Sequence, residues 1–292
     1  NNAQISGKVS RADSTDYVKM YESHGWHVQE INGHNRDAIR DAIRHAQMEI
    51  EKPSVIIGHT IMAQGCASME DDYNTHGAPL PPEEIFKTKQ KLDLDPKKHF
   101  FLPDDVLDDF RDGFDYARKE TSAWDACLDK HLVDMKFKTE WNMAFSGKLP
   151  DFELPYFEPG QNMATRKAWG PFIEGLATYH STLVGGSADL EPSNVTSGFA
   201  KMVGDFSINN PSGRNFPYGV REFPMGVMNN GIAQHGGFKV FGATFFVFSD
   251  YERPALRLRA IQGLPVVSEY THDSIFVGED GPTHQPIEHL MA

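Results

Sequence analysis

Between Trp26 and Ile57 the chain passes from strand to helix to strand, and no other feature limits its fold as much. Trp26-His27-Val28 and Ile31 mark a short strand that turns at Asn32-Gly33-His34-Asn35. Ala38, Ile39, Ala42, Ile43, Ala46 and Ile50 then recur at helical spacing with charges between them. Asn35 stands where its side chain can cap that helix. Pro53 stops it, and Ser54-Val55-Ile56-Ile57 reads as a buried strand. Two strands joined through a helix pair in parallel, so an α/β fold is expected. The loop from Met62 to Pro82 is long, and such loops in compact domains are functional or mobile.

The same rhythm returns downstream. Met163 to Tyr179 reads as a helix, and Leu183-Val184 as a strand entering Gly185-Gly186-Ser187. A helix around Met225 to Ile232, a strand from Val240 to Phe248, a helix from Ala255 to Ile261 and a strand opening at Pro265-Val266-Val267 follow. Gly281-Pro282 can begin another helix, with Pro282 at its first position. Between the two α/β stretches lies an acidic zone with helical signals. There Trp124, Leu128, Leu132 and Met135 form an apolar stripe expected to pack into a core. Lys148 to Gly160, with Pro150, Pro155 and Pro159, fits a linker. The expected division is 1–95, a helical and linker region 96–160, and 161–292, the last truncated at its C-terminus.

Composition narrows the function classes. A length of 292 residues suits about two domains. The formal charge of −13 opposes a nucleic-acid surface, which needs clustered cations. A few basic residues can still converge on a phosphorylated sugar. No run of about 18 apolar residues suggests a membrane span, and no basic start followed by an apolar stretch suggests a secretory signal. Cys66 and Cys127 are too few for a disulfide scaffold and lack metal-ligand spacing, so a reducing, cytoplasmic setting is expected. The start at Asn1 without Met and the stop inside Leu290-Met291-Ala292 suggest an internal segment, expected to be inactive alone.

Four stretches can carry chemistry, and each also has a plain reading. Gly278-Glu279-Asp280-Gly281-Pro282-Thr283-His284 crowds acids and a His at a turn after a strand, where open α/β sheets bind ligands. It could equally be a turn capped by Asp280. Gly185-Gly186-Ser187-Ala188-Asp189-Leu190-Glu191-Pro192-Ser193-Asn194 lets a ligand approach the backbone, with Asp189 and Ser193 able to supply polar contacts, or is an ordinary turn. His76-Gly77-Ala78-Pro79-Leu80 by itself is a surface loop. Tyr218-Gly219-Val220-Arg221-Glu222 puts a carboxyl at the head of an apolar helix, where the helix dipole alone would favour it.

Taken together and in order, these stretches resemble the transketolase family. The resemblance rests on Tyr-Gly-Val-Arg-Glu, Gly-Ala-Thr-Phe, Thr-His-Asp-Ser-Ile and Gly-Glu-Asp-Gly-Pro-Thr-His-Gln-Pro-Ile-Glu, with the upstream Gly-Gly-Ser-Ala-Asp-Leu and Ala-Thr-Arg-Lys. His-Gly-Ala-Pro-Leu and Asn-Asn…Ile-Ser-Gly look like the latter half of the family's diphosphate-binding domain. It implies parallel-sheet thiamine diphosphate-binding folds, with part of the diphosphate domain followed by the pyrimidine domain. It implies ketol transfer between sugar phosphates, a homodimer with its active site at the subunit interface, and Mg²⁺ or Ca²⁺ beside the cofactor. Glu222 matches the Glu that bonds the aminopyrimidine and favours formation of the reactive ylide. Phe245, Phe248 and Tyr251 match the aromatic pocket around that ring, and Asp189 a residue near the cofactor. Ile61 matches a residue packing on the thiazolium ring, and His76 one near the diphosphate and reaction centre. Asn1 and the carbonyl of Ala3 match metal ligands. Arg166, Ser193 and His272 match contacts to substrate phosphate. Asp280 and His284 match contacts to substrate hydroxyls, and His284 is the candidate for proton transfer there.

The pattern departs from the family at Phe223-Pro224, where His-Ala is usual, in the loop from Cys66 to Thr75 and around Tyr270. Dihydroxyacetone synthase shares the motifs and remains an alternative. A non-catalytic assembly or regulatory relative is a second, from another class.

Overall fold

The computed structural model describes residues 1–146 and 151–292. Lys148, Leu149 and Pro150, at the head of the expected linker, therefore lie outside the described residues. The chain divides into two compact units, Asn1–Asp115 and Tyr116–Ala292.

The first unit opens with a small antiparallel hairpin, β1 (Ala3–Gln4) and β2 (Gly7–Lys8). Helix α1 (Tyr17–Ser23) follows, capped by Asp16. β3 (His27–Asn32), α2 (Arg36–Met48) and β4 (Ser54–His59) then form the expected unit, with β3 and β4 parallel from His27↔Ser54 to Asn32↔His59. The Asn35 side chain accepts from the amides of Asp37 and Ala38 at 3.0 and 3.1 Å, which satisfies two orphan donors of the first turn. Gln29 donates to the Ala42 carbonyl at 2.9 Å and pins α2 to the strands. β4 is half-buried rather than buried.

The loop after β4 is anchored by α3 (Pro82–Lys91), which carries Pro in its first turn. Buried Glu84 accepts from the amides of Ser68 and Met69 and from the Ser68 hydroxyl. The boundary between the units falls within α4 (Asp104–His131).

In the second unit α5 (Met135–Phe145) is capped by Asp134. The stripe expected to form a core does not do so. Trp124 and Met135 are 56% and 71% exposed, and Leu128 and Leu132 are half-buried. Trp124 meets Trp141, which meets Phe145, so the aromatic rings contact one another rather than an apolar layer.

The rest of the unit winds around one sheet. α6 (Arg166–Tyr179) leads to β5 (Leu183–Ser187), then α7 (Glu191–Asn194) and α8 (Ser197–Val203). α9 (Glu222–His235), β6 (Lys239–Phe245), α10 (Ser249–Gln262) and β7 (Val266–Thr271) complete it. The strands are parallel in the order β5-β6-β7. Successive strand residues face opposite layers. Phe241 packs with Ile173 and Leu176 of α6 and Phe199 of α8. A Cβ at Gly242 would instead meet Met225 and Asn229 of α9. Helices thus cover both faces, and the strands' carboxyl ends are the place left for a ligand.

Two glycines make the close packing possible. A Cβ on Gly185 would lie 2.3 Å from the Phe241 carbonyl oxygen, and one on Gly186 2.2 Å from that of Phe216. The expected strand through Phe248 ends at Phe245, with 246–248 a 3-10 turn. The helix expected at Gly281-Pro282 is a single 3-10 turn, Pro282–His284, with no side-chain cap from Asp280. Among the described residues no helix is long and apolar enough to cross a membrane.

Candidate active site

The three parallel strands end together at Ser187, Phe245 and Thr271, and aromatic residues gather there. Phe245 lies parallel to Phe248, with centroids 5.8 Å apart and planes 2° apart. It also stacks on His272 at 3.7 Å. Phe248 contacts Tyr251 at 6.1 Å, and His284 meets Phe248 edge-on at 5.2 Å. Phe245, Phe248, Tyr251, His272 and His284 therefore form one cluster of flat faces and ring edges. Such a cluster suits a flat heteroaromatic ring.

Arg166, the first residue of α6, brings its guanidinium to this cluster. Its Nη1 donates to Nε2 of His272 at 2.6 Å. A guanidinium is a donor only, so His272 accepts there and is neutral, with its proton on Nδ1 facing Thr271 Oγ1 at 2.9 Å. Burial, and then the Arg166 charge, hold His272 below the usual histidine range. His272 also sits at φ +54°, an uncommon backbone state for a non-glycine residue. Arg166, His272, Glu269 and Asp280 line a cavity of about 640 Å³.

Behind the cavity runs a buried hydrogen-bond chain. Ser187 Oγ donates to Asn194 Oδ1 at 2.6 Å, and Asn194 Nδ2 donates to Thr271 Oγ1 at 2.7 Å. Thr271 continues it to His272 and so to Arg166. Asn194 is fully buried and its chain neighbour Ser193 is half-buried. The turn containing Ser193 is thereby tied to the ends of β5 and β7.

Glu222 is the first residue of α9 and is 8% exposed. Its charge adds to burial in raising the pKa of Glu252, the neighbour of Tyr251 on α10. That coupling places the Glu222 carboxyl near the start of α10. The preceding turn is fixed by Arg221, which donates to the Tyr218 carbonyl at 2.9 Å. Asp189, at φ +61°, lines a separate small cavity of about 140 Å³ with Ser187 and Gly219.

The remaining candidates belong to the first unit. Asn1 Oδ1 accepts from the Ala3 amide at 3.1 Å, and Ala3 is buried. The Asn1 amide oxygen and the Ala3 carbonyl are hard oxygen donors of the kind Mg²⁺ or Ca²⁺ takes. Ile61 is 43% exposed, and its amide donates to His34 Nε2 at 2.7 Å. His76 is exposed just after a 3-10 turn, on the loop that Asp71 joins to Lys8 of the hairpin.

Asn194 and Thr271, both inside the quoted stretches, join the site only through the fold. Their signal is a polar side chain next to a strand end, which gains meaning once the strand order is known. Glu269 and Trp169 line the same cavity and carried no sequence signal.

Parallel strands wound by helices, with an aromatic cluster, a buried carboxyl and a guanidinium gathered near the strand ends, define an α/β protein with a ligand site at the carboxyl edge of its sheet. Residues 1–150 match the family model described as transketolase, thiamine diphosphate binding domain. Residues 161–292 match that described as transketolase, pyrimidine binding domain. The chain belongs to the transketolase family. It is 40% identical over 298 residues to a transketolase of Bacillus subtilis, covering 100% of this chain and 44% of that protein. The crystal structure of a Campylobacter jejuni transketolase superposes with a TM-score of 0.91 at 36% identity, and the solved structure of a Leishmania mexicana transketolase with 0.94 at 35%. Each covers 100% of this chain and 44% of the other. The chain thus spans less than half the length of the relatives it matches.

Proposed function

We propose that this chain is part of a cytoplasmic enzyme that transfers a two-carbon ketol unit from a ketose phosphate, such as xylulose 5-phosphate, to an aldose phosphate such as ribose 5-phosphate. In this reading 1–95 are the C-terminal part of the diphosphate domain, 96–160 are a helical and linker region that the match to that domain enters, and 161–292 bind the pyrimidine. The working form is a homodimer with its active site at the subunit interface. The observation that carries the reading is the Arg166–His272 pair, which lines one cavity while His272 stacks on Phe245, because it joins a cation suited to a phosphate to an aromatic slot.

When bound, thiamine diphosphate supplies the carbanion chemistry. The chain's own residues hold and orient. Phe245, Phe248 and Tyr251 would flank the aminopyrimidine, and Glu222 would hydrogen-bond that ring. Asp189 and Ile61 would pack near the cofactor. Asn1 and the Ala3 carbonyl would hold Mg²⁺ or Ca²⁺, and His76 would stand near the diphosphate and the reaction centre. Arg166, with Ser193 and His272, binds the sugar phosphate; a guanidinium next to a hydroxyl and an imidazole is a suitable clamp. Asp280 and His284 contact the sugar hydroxyls, and His284 moves a proton at those oxygens.

The test is ketol transfer from xylulose 5-phosphate to ribose 5-phosphate by the complete protein and its Glu222→Gln variant. The variant should lose roughly 10²–10⁴-fold in kcat, the range of a positioned acid–base group, with circular dichroism unchanged. A variant as active as the parent would remove the proposal. Formaldehyde outcompeting ribose 5-phosphate as acceptor would reassign it to dihydroxyacetone synthesis.

A further inference from the structure

Glu269 has no part in the motifs, yet the fold places it in the lining of the cavity. It lies on β7 opposite Ala243 of β6, and it lines the cavity together with Arg166. Both its carboxyl oxygens are buried and have no hydrogen-bond partner. The indole Nε1 of Trp169, one turn along α6 from Arg166, is also buried without a partner and lines the same cavity. An unpaired buried acid and an unpaired buried donor beside a guanidinium are costly to keep unless something arrives to satisfy them.

The groups facing Glu269 define what that can be. From α6 comes the Arg166 cation. From the segment after β7 come His272, Asp273, Glu279 and Asp280. β6 offers only uncharged Ala243, and Glu191 of α7 is engaged by Asn215. Glu222 of α9 and Glu252 and Arg259 of α10 belong to the layer on the other face. There Arg259 bonds Ser268 and Glu252, and Tyr270 bonds Glu252 at 2.7 Å.

We infer that Glu269 and Trp169 are further substrate-contacting residues, which join Arg166 in holding the phosphate of a sugar phosphate, Glu269 by donating a proton that it carries into the site. The inference rests on the reading that this cavity takes a phosphate monoester. A carboxyl and a phosphate share a site only with a proton between them, since two anions in contact repel. Burial holds Glu269 up to about 8, against the opposing pull of Arg166. Below that pH the carboxyl is neutral and its O–H donates to a phosphate oxygen. The Trp169 N–H donates a second bond, and Arg166 supplies the charge. Above it the carboxylate turns toward Arg166 and opposes the anion.

Calorimetric titration of the complete protein with inorganic phosphate and with ribose 5-phosphate, from pH 7 to 9.5, tests this. A phosphate monoester is almost fully ionised across that range, its second pKa being about 6, so a slope reports the protein. In the parent, Kd should rise about tenfold per pH unit above 8, as one linked proton requires. Glu269→Gln, which keeps a donor and cannot titrate, should bind with a nearly flat pH profile. Glu269→Leu should bind roughly tenfold or more weakly at pH 7, the loss of one hydrogen bond to a charged group. The inference is overturned if Glu269→Gln keeps the parent's slope or if folded Glu269→Leu binds as tightly as the parent. Should the Leu variant not fold, the Gln profile decides. A protein that binds phosphate in this manner but transfers no ketol unit would defeat only the proposed function. An active enzyme with pH-independent phosphate binding would defeat only this inference.

Discussion

In the second unit Ile173, Phe199, Met225 and Phe241 are all 1% exposed or less, and they lock α6, α8 and α9 onto one sheet. In the first unit the buried apolar side chains among the described residues are Ala3, Ala42 and Cys66. Site candidates differ in the same way. Arg166, Phe245 and His272 stand at the ends of packed elements, and His272 touches both of the others. Asn1, Ile61 and His76 stand on a terminus or loops and are exposed. A site holds its geometry when the residues behind it are locked by packing and hydrogen bonds. The second unit contains that support; in the first unit the candidates lean on a few polar ties.

The largest expected difference between the units is in stability. Phe241→Ala should cost about 3–5 kcal/mol, the range for emptying an aromatic core site. Ile43→Ala, on a first-unit side chain 46% exposed, should cost less than about 1 kcal/mol. Urea unfolding of both variants measures the gap, and equal losses would break the comparison. Next in size is Asn194→Leu. It leaves the Ser187 and Thr271 hydroxyls without their shared partner, at about 1–3 kcal/mol for a buried group left unsatisfied. Because Thr271 orients His272, the KM for a sugar phosphate should rise about tenfold while kcat changes little. A normal KM would show that the chain supports the fold and not the site.

A pH series sharpens the contrast further. The folded pKa of Glu269 is raised to about 8, above the ordinary value near 4.3 of an unfolded Glu. Between those values the folded state holds a proton that the unfolded state has released, so stability falls as pH rises until about 8. Glu252 is raised too and contributes in the same direction. His272 is lowered, so its contribution grows as pH rises toward 6.5 and is constant above. Glu269→Gln should therefore flatten the decline between pH 6.5 and 8 and exceed the parent's Tm at pH 8. An unchanged slope would mean that Glu269 is not protonated in the folded protein.

What the sequence disclosed followed from periodicity and local caps. The β3–α2–β4 unit, the Asn35 cap and the alternation of helices and strands from Arg166 to Thr271 were legible because each depends on neighbours in the chain. The Trp124–Met135 stripe misled because a helical period shows that a face is apolar, not that another layer covers it. The helix expected after Gly281 is a single turn because Pro282 favours a first helical turn but does not by itself sustain those that follow. Motif order pointed to Arg166, Phe245, His272 and His284, and the structure brings them together. Glu269 escaped notice because a single acid in a strand acquires meaning only from what lies across the cavity, information carried by α6 more than a hundred residues away.

The smallest effect belongs to the first unit. Lys8 of β2 pairs with Asp71, and this contact joins the hairpin to the loop that carries His76. Both side chains are nearly half exposed, so water competes for each charge and salt screens the pair. Lys8→Met should therefore cost about 0–1 kcal/mol at low ionic strength, and the difference should vanish near 1 M NaCl. Had the loop been held as firmly as the second unit's cavity, removing one tie would leave a salt-independent loss of several kcal/mol. Chemical denaturation in urea at two salt concentrations separates these outcomes. Glu84→Gln makes the internal contrast, because its bonds to Ser68 and Met69 involve a buried carboxylate and should weaken equally at both salts. A Lys8→Met loss as large and as salt-insensitive as that of Glu84→Gln would show that the first unit, despite its sparse core, fixes its loop as rigidly as the second fixes its strand ends.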